Sequence, residues 1–593
     1  MTRNLTLTGA GPGVAAPRHP LDARPGWGLR DPRPGLRVAC VIATALALPV
    51  LGQHLPALGA HGAVSSAEAH ASQAGIAIMK EGGNAVDAAV AVGFALAVTH
   101  SDAGNIGGGG FMLIRQADGQ SYFVDFREEA PGKATPTMYQ DAQGNIVKGR
   151  SLNGMLASGI PGTVAGLVSA QKRLGKLTLA QDMAPAIRLA EDGFPLDTHE
   201  ARLMRAGKLA NYPNSHQIFQ RNGNYYQAGD IFKQPELAAT LREIARGGAA
   251  AFYRGPIAHK LAAFEAAHGG LITLKDMEHY QAIWRKPLEM DYHGYHIISS
   301  PPPSSGGVVI FEMLNMLNHS QFVPDGMDSA AALHDEIEAM RRAFADRAVY
   351  LGDPGFAKLP LATLLSPEYA AKRWASVKPE QASLSSEVGA GPVPNWNGDT
   401  ETTHYSVVDR AGDAVGVTYT LNFYFGSGVT PSGLGFLLND EMDDFTSKPG
   451  SPNGFGLIQG KVNDIEPYKR PLSSMTPTIV AKNGKLFLVV GSPGGPRIIT
   501  SVFEVMTDVL DFGLKVQQAV DAPRFHQQWM PKAVYLEGPD RFSPDTIALL
   551  AKMGYPLKIG RTWCDVEAIE IDPKTGMRMA ATDPRADGAA VAY

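Results

Sequence analysis

Cysteine is nearly absent: Cys40 and Cys564 are the only two in 593 residues. Cys40 lies in a segment expected to be removed, which leaves one cysteine in the mature chain. An internal disulfide, a Cys-based zinc site and a redox pair are therefore not expected. Positive charge is not in excess. Lys and Arg number 53 against 58 Asp and Glu, for a formal net charge of −5. Nothing in that balance suggests a nucleic-acid footprint, which needs a clustered basic face. Long apolar runs are missing too. Val38–Gly52 is too short for a comfortable membrane span and is interrupted by Pro49, and Ala85–His100 is short and carries Asp87.

Common catalytic signatures are also lacking. No Ser sits in a G-x-S-x-G elbow. His334-Asp335-Glu336 does not extend to H-E-x-x-H, and no Gly-Lys-Ser/Thr follows the glycines Gly107 to Gly110. His293 and His296 have no acidic or Cys cluster beside them and read as a solvated loop rather than a metal site. His404 and His526 read as structural hydrogen-bonding residues.

What is present begins with an export signal. Arg3, Arg18, Arg24, Arg30, Arg33 and Arg37 precede the short apolar run, and small residues follow at Ala57, Gly59 and Ala60. Residues 1–60 form this region, and the remainder carries a net charge of −9. Residues 65–100 read as helical, with Ala85–His100 apolar nearly all round and so buried. The glycine run Gly107–Gly110 reads as a turn feeding a strand at 111–115, with a second strand at 121–126. Helices are expected at 162–174, 179–192, 234–246, 256–267 and 330–350. Pro301–Gly307 cannot be helix or central strand, since three backbone donors are missing. Residues 380–400 have linker composition. Strands then follow at 403–409 and 414–422, and a hairpin at 477–490 turns on Asn483-Gly484.

One junction carries a chemical possibility. A linker runs directly into a strand that opens with Thr402-Thr403. Cleavage between Glu401 and Thr402 would give Thr402 a free α-amine with a pKa of about 7.7–8.0 beside its own hydroxyl. Nucleophile and base would then reside in one residue. Taken alone, two threonines opening a strand mean only strand propensity.

The surrounding motifs change that reading. Thr402-Thr-His-Tyr-Ser-Val-Val-Asp409 resembles the processing site of the γ-glutamyltransferases (γ-glutamyl transpeptidases), which belong to the N-terminal-nucleophile hydrolases. So do Gly82–Ala89, Gly107–Phe111, Asp125–Glu128, Pro301–Gly307, Asp440–Phe445, Pro471–Met475 and Gly491–Gly495, in the right order over about residues 62–593. The resemblance is closest to the bacterial enzymes.

The resemblance implies an α+β fold, a four-layer αββα sandwich made of two subunits from one self-cleaved precursor. The large subunit would span 61–401 and the small one 402–593. Thr402 would be the nucleophile, freed by attack on the Glu401 carbonyl. Thr403 and Thr420 would orient it, and Gly494 and Gly495 would form the oxyanion hole. Arg127 would bind the substrate α-carboxylate through its planar fork, with Ser473 and Ser474 hydrogen-bonding the same group. Asn422, Glu441 and Asp444 would hold the α-ammonium at the opposite end from Arg127. Glu441 stands where bacterial relatives can carry Gln. Phe455, in the lid before Lys469, stands where some carry Tyr, and losing that hydroxyl would loosen a hydrogen-bonded gate.

The implied reaction moves the γ-glutamyl group of glutathione, or of a related compound, to water or to an amino acid or dipeptide acceptor. No metal or organic cofactor is implied. The expected partners are these small molecules and the two subunits themselves, with no nucleic acid and no membrane insertion once the signal is removed. The expected compartment is the periplasm. A cephalosporin (glutaryl) acylase of the same family is the alternative, disfavoured because glutaryl groups lack the ammonium that Glu441 and Asp444 would bind. A non-catalytic solute-binding protein would leave the processing motif without purpose.

Overall fold

The computed structural model describes residues 54–390, 403–456, 461–560 and 564–593. Cys40, most of the export region, Glu401 and Thr402 lie outside the described residues. Among those described, no helix is long and apolar enough to cross a membrane.

Two seven-stranded antiparallel sheets form the centre. The first runs Ala589–Ala592, Ala63–Ser66, Thr403–Val408, Ala414–Thr420, Gly109–Arg115, Ser121–Phe126, Ile283–Arg285. The second runs Ala57–Gly59, Arg578–Ala581, Glu567–Ile571, Lys485–Gly491, Thr478–Lys482, Tyr295–Ser299, Leu288–Tyr292. Strand side chains alternate between faces, and the cores divide accordingly. Met112, Ile114, Tyr405, Val407, Val415 and Val417 pack with the helices Ala69–Lys80 and Ala85–Thr99. Phe111 and Leu113 instead join Ile479 and Val489 of the second sheet. The second sheet is covered in turn by Gly306–Leu317, Ala330–Tyr350 and Arg497–Leu510. The first of these starts at Gly306, inside the stretch Pro301–Gly307 that was expected to hold no helix; the three prolines end before it. The layers are therefore helix, sheet, sheet, helix, as the resemblance implied.

Most expected elements are in place. The stretch 65–100, expected to be helical, holds two helices, Ala69–Lys80 and Ala85–Thr99. Asn84 caps the second by accepting from Val86 and Asp87 N–H, while Asp87 accepts from Asn84 N at 2.9 Å. This reciprocal cap satisfies donors that a new helix start leaves open. The helix Ala85–Thr99 is buried on all sides, and the hydroxyls of Tyr405 and Tyr419 reach its Ala89 and Gly93 carbonyls at 2.8 and 3.0 Å. Asn483 and Gly484 both have left-handed φ, 51° and 76°, and close the hairpin Thr478–Lys482 with Lys485–Gly491.

Strand Thr403–Val408 is central, flanked by Ala63–Ser66 and Ala414–Thr420. Its neighbour-but-one starts in the four-glycine run, and the reason is steric. A Cβ on Gly108 would lie 1.9 Å from the Thr420 carbonyl oxygen, and one on Gly107 would lie 2.0 Å from that of Leu437. Only glycine lets these backbones approach so closely.

Candidate active site

Arg127 leaves strand Ser121–Phe126 with its N–H on Asp125 Oδ1 at 3.0 Å. Its side chain is fully buried. Nη1 pairs with Glu441 and Nη2 with Asp444, both on the single helical turn Glu441–Asp444. Nε donates to the Pro471 carbonyl at 3.2 Å, and Glu128 Oε2 lies 3.4 Å from Nη1. One guanidinium therefore faces three buried carboxylates. Burial and mutual repulsion push Glu128 and Asp444 well above the ordinary carboxylate range. Burial also opposes the Arg127 charge, but Glu441 and Asp444 overcome it and hold the guanidinium protonated. Such a site is short of positive charge.

Two asparagines hold the acidic turn in place. Asn439 donates to Gly107 and Gly159 carbonyls at 2.8 and 2.9 Å and accepts from Glu441 N at 3.1 Å. Asn463 donates to the Asp444 carbonyl at 2.6 Å and accepts from Leu472 N at 2.9 Å. Arg470, fully buried, bridges Asp125 and Glu129 at 2.6 and 3.0 Å and so anchors the strand end that carries Arg127. None of these three was singled out from the sequence, although each borders a motif that was.

Ser473 and Ser474 are buried beside this cluster. Ser473 exchanges backbone bonds with the Pro301–Gly307 loop, accepting from Ser305 N at 2.7 Å and donating to the Pro303 carbonyl at 2.9 Å. Arg347 Nη2 donates to Ser474 Oγ at 3.0 Å. The proline-rich loop is thus the backing of the two serines.

Asn422 follows strand Ala414–Thr420 with a left-handed φ of 82°. Its N–H reaches Thr420 Oγ1 at 2.7 Å and its amide donates to the Asp440 carbonyl at 3.0 Å. Its Oδ1 and the Thr403 hydroxyl are buried without hydrogen-bond partners. Gly494 and Gly495, with φ of 124° and 64°, join strand Lys485–Gly491 to helix Arg497–Leu510. Their position puts them at a helix N-terminus, where the backbone favours negative charge.

A cavity of about 300 Å³ brings Thr403, Asn422 and Gly494 onto one surface, with Cys564 beside Gly494. Arg127, Glu441, Asp444, Ser473 and Ser474 do not line it; all five are buried away from its surface. The sequence reading set Arg127 and the two acids at opposite ends of a bound amino acid. Here they are joined directly, because opposite charges buried without water pair with each other. The carboxylate and ammonium of an α-amino acid also share one carbon, so their receptors must be adjacent.

Phe455 lies face to face on Phe423, with ring centroids 3.9 Å apart and planes 9° apart. The segment is held by stacking next to Asn422, where the sequence reading expected only a lost hydroxyl. The four histidines singled out from the sequence each have polar partners. His404 sits between the sheets on Thr418 and Ser406 hydroxyls at 2.8 and 3.0 Å, and burial pushes it down to about 3. His526 rests on Thr500 and Gln528 at 3.0 and 2.6 Å. His293 pairs with Asp511 at 2.6 Å, and His296 with Asp291 at 2.8 Å and Glu289 at 4.0 Å, so both have acidic neighbours that the sequence reading did not expect.

Comparison with known proteins bears on all of this. Over 521 residues the chain is 50% identical to a glutathione hydrolase proenzyme of Pseudomonas sp. (strain A14), covering 87% of this chain and 90% of that protein. The structure superposes on a cephalosporin acylase from Bacillus halodurans with a TM-score of 0.82 at 28% identity, covering 93% of this chain and 99% of the other. It superposes on the Helicobacter pylori gamma-glutamyltranspeptidase with a TM-score of 0.54 at 42% identity, covering 55% of this chain and 95% of the other. The family model described as gamma-glutamyltranspeptidase matches residues 71–593. On sequence, family model and fold together, the chain belongs to the gamma-glutamyltranspeptidase family.

Proposed function

We propose that this chain is a self-processing glutathione hydrolase and γ-glutamyltransferase. The observation that carries the reading is the buried cluster of one guanidinium and three carboxylates around Arg127. Its surplus of acid is complementary to an ammonium, and its guanidinium to a carboxylate. An α-amino acid head group presents both.

Maturation begins when Thr402 Oγ attacks the Glu401 carbonyl and the peptide shifts to an ester. Water hydrolyses that ester, leaving a Glu401 carboxylate and an N-terminal Thr402. The products are a large subunit of residues 61–401 and a small one of 402–593. In turnover, the Thr402 amine takes the hydroxyl proton as Oγ attacks the γ-amide carbonyl of glutathione. Gly494 and Gly495 N–H groups stabilise the oxyanion, aided by the helix N-terminus they precede. The amine leaves with the proton. Water, an amino acid or a dipeptide then attacks the γ-glutamyl ester and restores Thr402. Arg127, Ser473 and Ser474 hold the α-carboxylate; Glu441, Asp444 and Asn422 hold the ammonium; Thr403 and Thr420 orient Thr402. Residues 1–60 direct export to the periplasm.

The acylase neighbour favours a second reading, cleavage of glutaryl amides. Glu441 and Asp444 weigh against it, since a glutaryl group brings no charge to pair with them. The test is expression of wild type and Thr402→Ala, denaturing gels, and turnover of γ-glutamyl and glutaryl anilides with and without a dipeptide. We expect two fragments and γ-glutamyl turnover for wild type, and one inactive chain for the variant. A wild type that stays whole, or an active Thr402→Ala, overturns the mechanism; glutaryl preference supports the acylase.

A further inference from the structure

The cavity beside Thr403 and Gly494 also touches a second ionic group, outside the residues assigned above. His100 follows helix Ala85–Thr99, and its Nδ1 lies 3.3 Å from Asp102 Oδ1 and 3.1 Å from Glu200 Oε1. The two acid side chains are 1% and 3% exposed. The three donor atoms all lie within 4.8 Å of one another.

These contacts leave the acids unsatisfied. Asp102 Oδ1 and both oxygens of Glu200 are buried and make no well-aligned hydrogen bond; their near neighbours are the His100 imidazole and each other. Buried carboxylate oxygens nearly always have a partner, so three such oxygens around one imidazole call for one. The spacing says what kind. Zinc-type ions bind N and O at about 2.0–2.2 Å, which sets ligand-to-ligand edges of roughly 3.0–3.5 Å. The two His100 separations fall in that interval. With the imidazole proton displaced by the metal, the imidazole and the two carboxylates carry two negative charges, which one divalent ion cancels. The mixed nitrogen and oxygen donors favour a first-row transition ion over calcium or magnesium, which prefer oxygen alone. His100 and Asp102 line the cavity, so water can complete the coordination.

We propose that His100, Asp102 and Glu200 bind one divalent transition-metal ion, of the zinc or manganese type, in the wall of this cavity. The site is independent of the threonine chemistry, which needs no metal, and stands whether or not that reading holds.

The test uses the full chain, stripped with a chelator and titrated with Zn²⁺ by equilibrium dialysis and with Co²⁺ by its visible absorption. The expected result is one tight equivalent and a Co²⁺ spectrum of a low-symmetry nitrogen and oxygen site. Glu200→Gln and Asp102→Asn should each weaken that equivalent by about 100-fold or more, since even an outer-shell partner is worth 10- to 100-fold. The pair His293→Ala with His296→Ala should leave it unchanged. Circular dichroism of the metal-free variants checks folding, and His100→Gln replaces any variant that fails. No equivalent in wild type, or unchanged affinity in the folded ligand variants, overturns the proposal.

Discussion

Replacing Gly494 with alanine tests the loop read here as the oxyanion hole. The added Cβ would lie 2.1 Å from Cys564 Sγ and 3.3 Å from Cys564 Cβ. It would also have to tolerate a φ of 124°. The backbone part costs about 1–3 kcal/mol, as for other sparsely populated conformations. Overpacking against the sulfur adds about 1–3 kcal/mol. The two parts are separable, because Cys564→Ala removes the sulfur and leaves the φ requirement. The double variant should therefore recover about 1–3 kcal/mol of stability relative to Gly494→Ala alone, a coupling measurable by a double-mutant cycle. Activity should recover less. A loop that shifts to relieve the clash turns an N–H away from the developing oxyanion, and losing one such donor costs about 10²- to 10³-fold in kcat. Urea melts and turnover of a γ-glutamyl anilide by all four proteins supply the data. A Gly494→Ala enzyme with wild-type kcat refutes the assignment of the loop. Strict additivity of the two substitutions refutes the steric argument.

Arg127→Lys keeps the charge but loses the fork, so KM for a γ-glutamyl donor should rise about 10- to 150-fold, the worth of one charge-assisted hydrogen bond; an unchanged KM would show that Arg127 serves the fold alone. Arg127→Ala should cost about 3–5 kcal/mol in urea melts, because it strands buried carboxylates. Phe455→Ala removes a ring pair worth about 0.5–1.5 kcal/mol and should raise KM roughly 2- to 13-fold with kcat nearly unchanged; an equal fall in kcat contradicts a role in closure alone. Burial opposes the Glu338 charge, yet Arg341 and Arg342 pull its carboxyl down to about 2. A carboxyl so depressed contributes stability above its unfolded value and loses it as pH falls, so linkage gives roughly 3 kcal/mol at neutral pH. Glu338→Gln should therefore cost most at pH 7 and under half as much at pH 3, and a cost that grows on acidification reverses the sign argument.

Local chemistry wrote much of this molecule into its sequence. The buried helix Ala85–Thr99, the Asn483-Gly484 hairpin and the paired strands opening at Thr403 each rest on a pattern that acts over a few residues. The junction before Thr403 was legible only as a weak signal, and the ordered motifs around it supplied the chemistry. The charge balance at Arg127 was not legible. It needs Glu128 from the same strand end, Glu441 and Asp444 from more than 300 residues away, and Asn439 and Asn463 to fix the turn. The stacking of Phe455 on Phe423, the contact of Cys564 with Gly494 and the meeting of His100 with Glu200 were hidden for the same reason. Periodicity, turns and caps are short-range and can be read along the chain. Which buried charges share a site, and whether they balance, depends on long-range packing that only the tertiary structure decides.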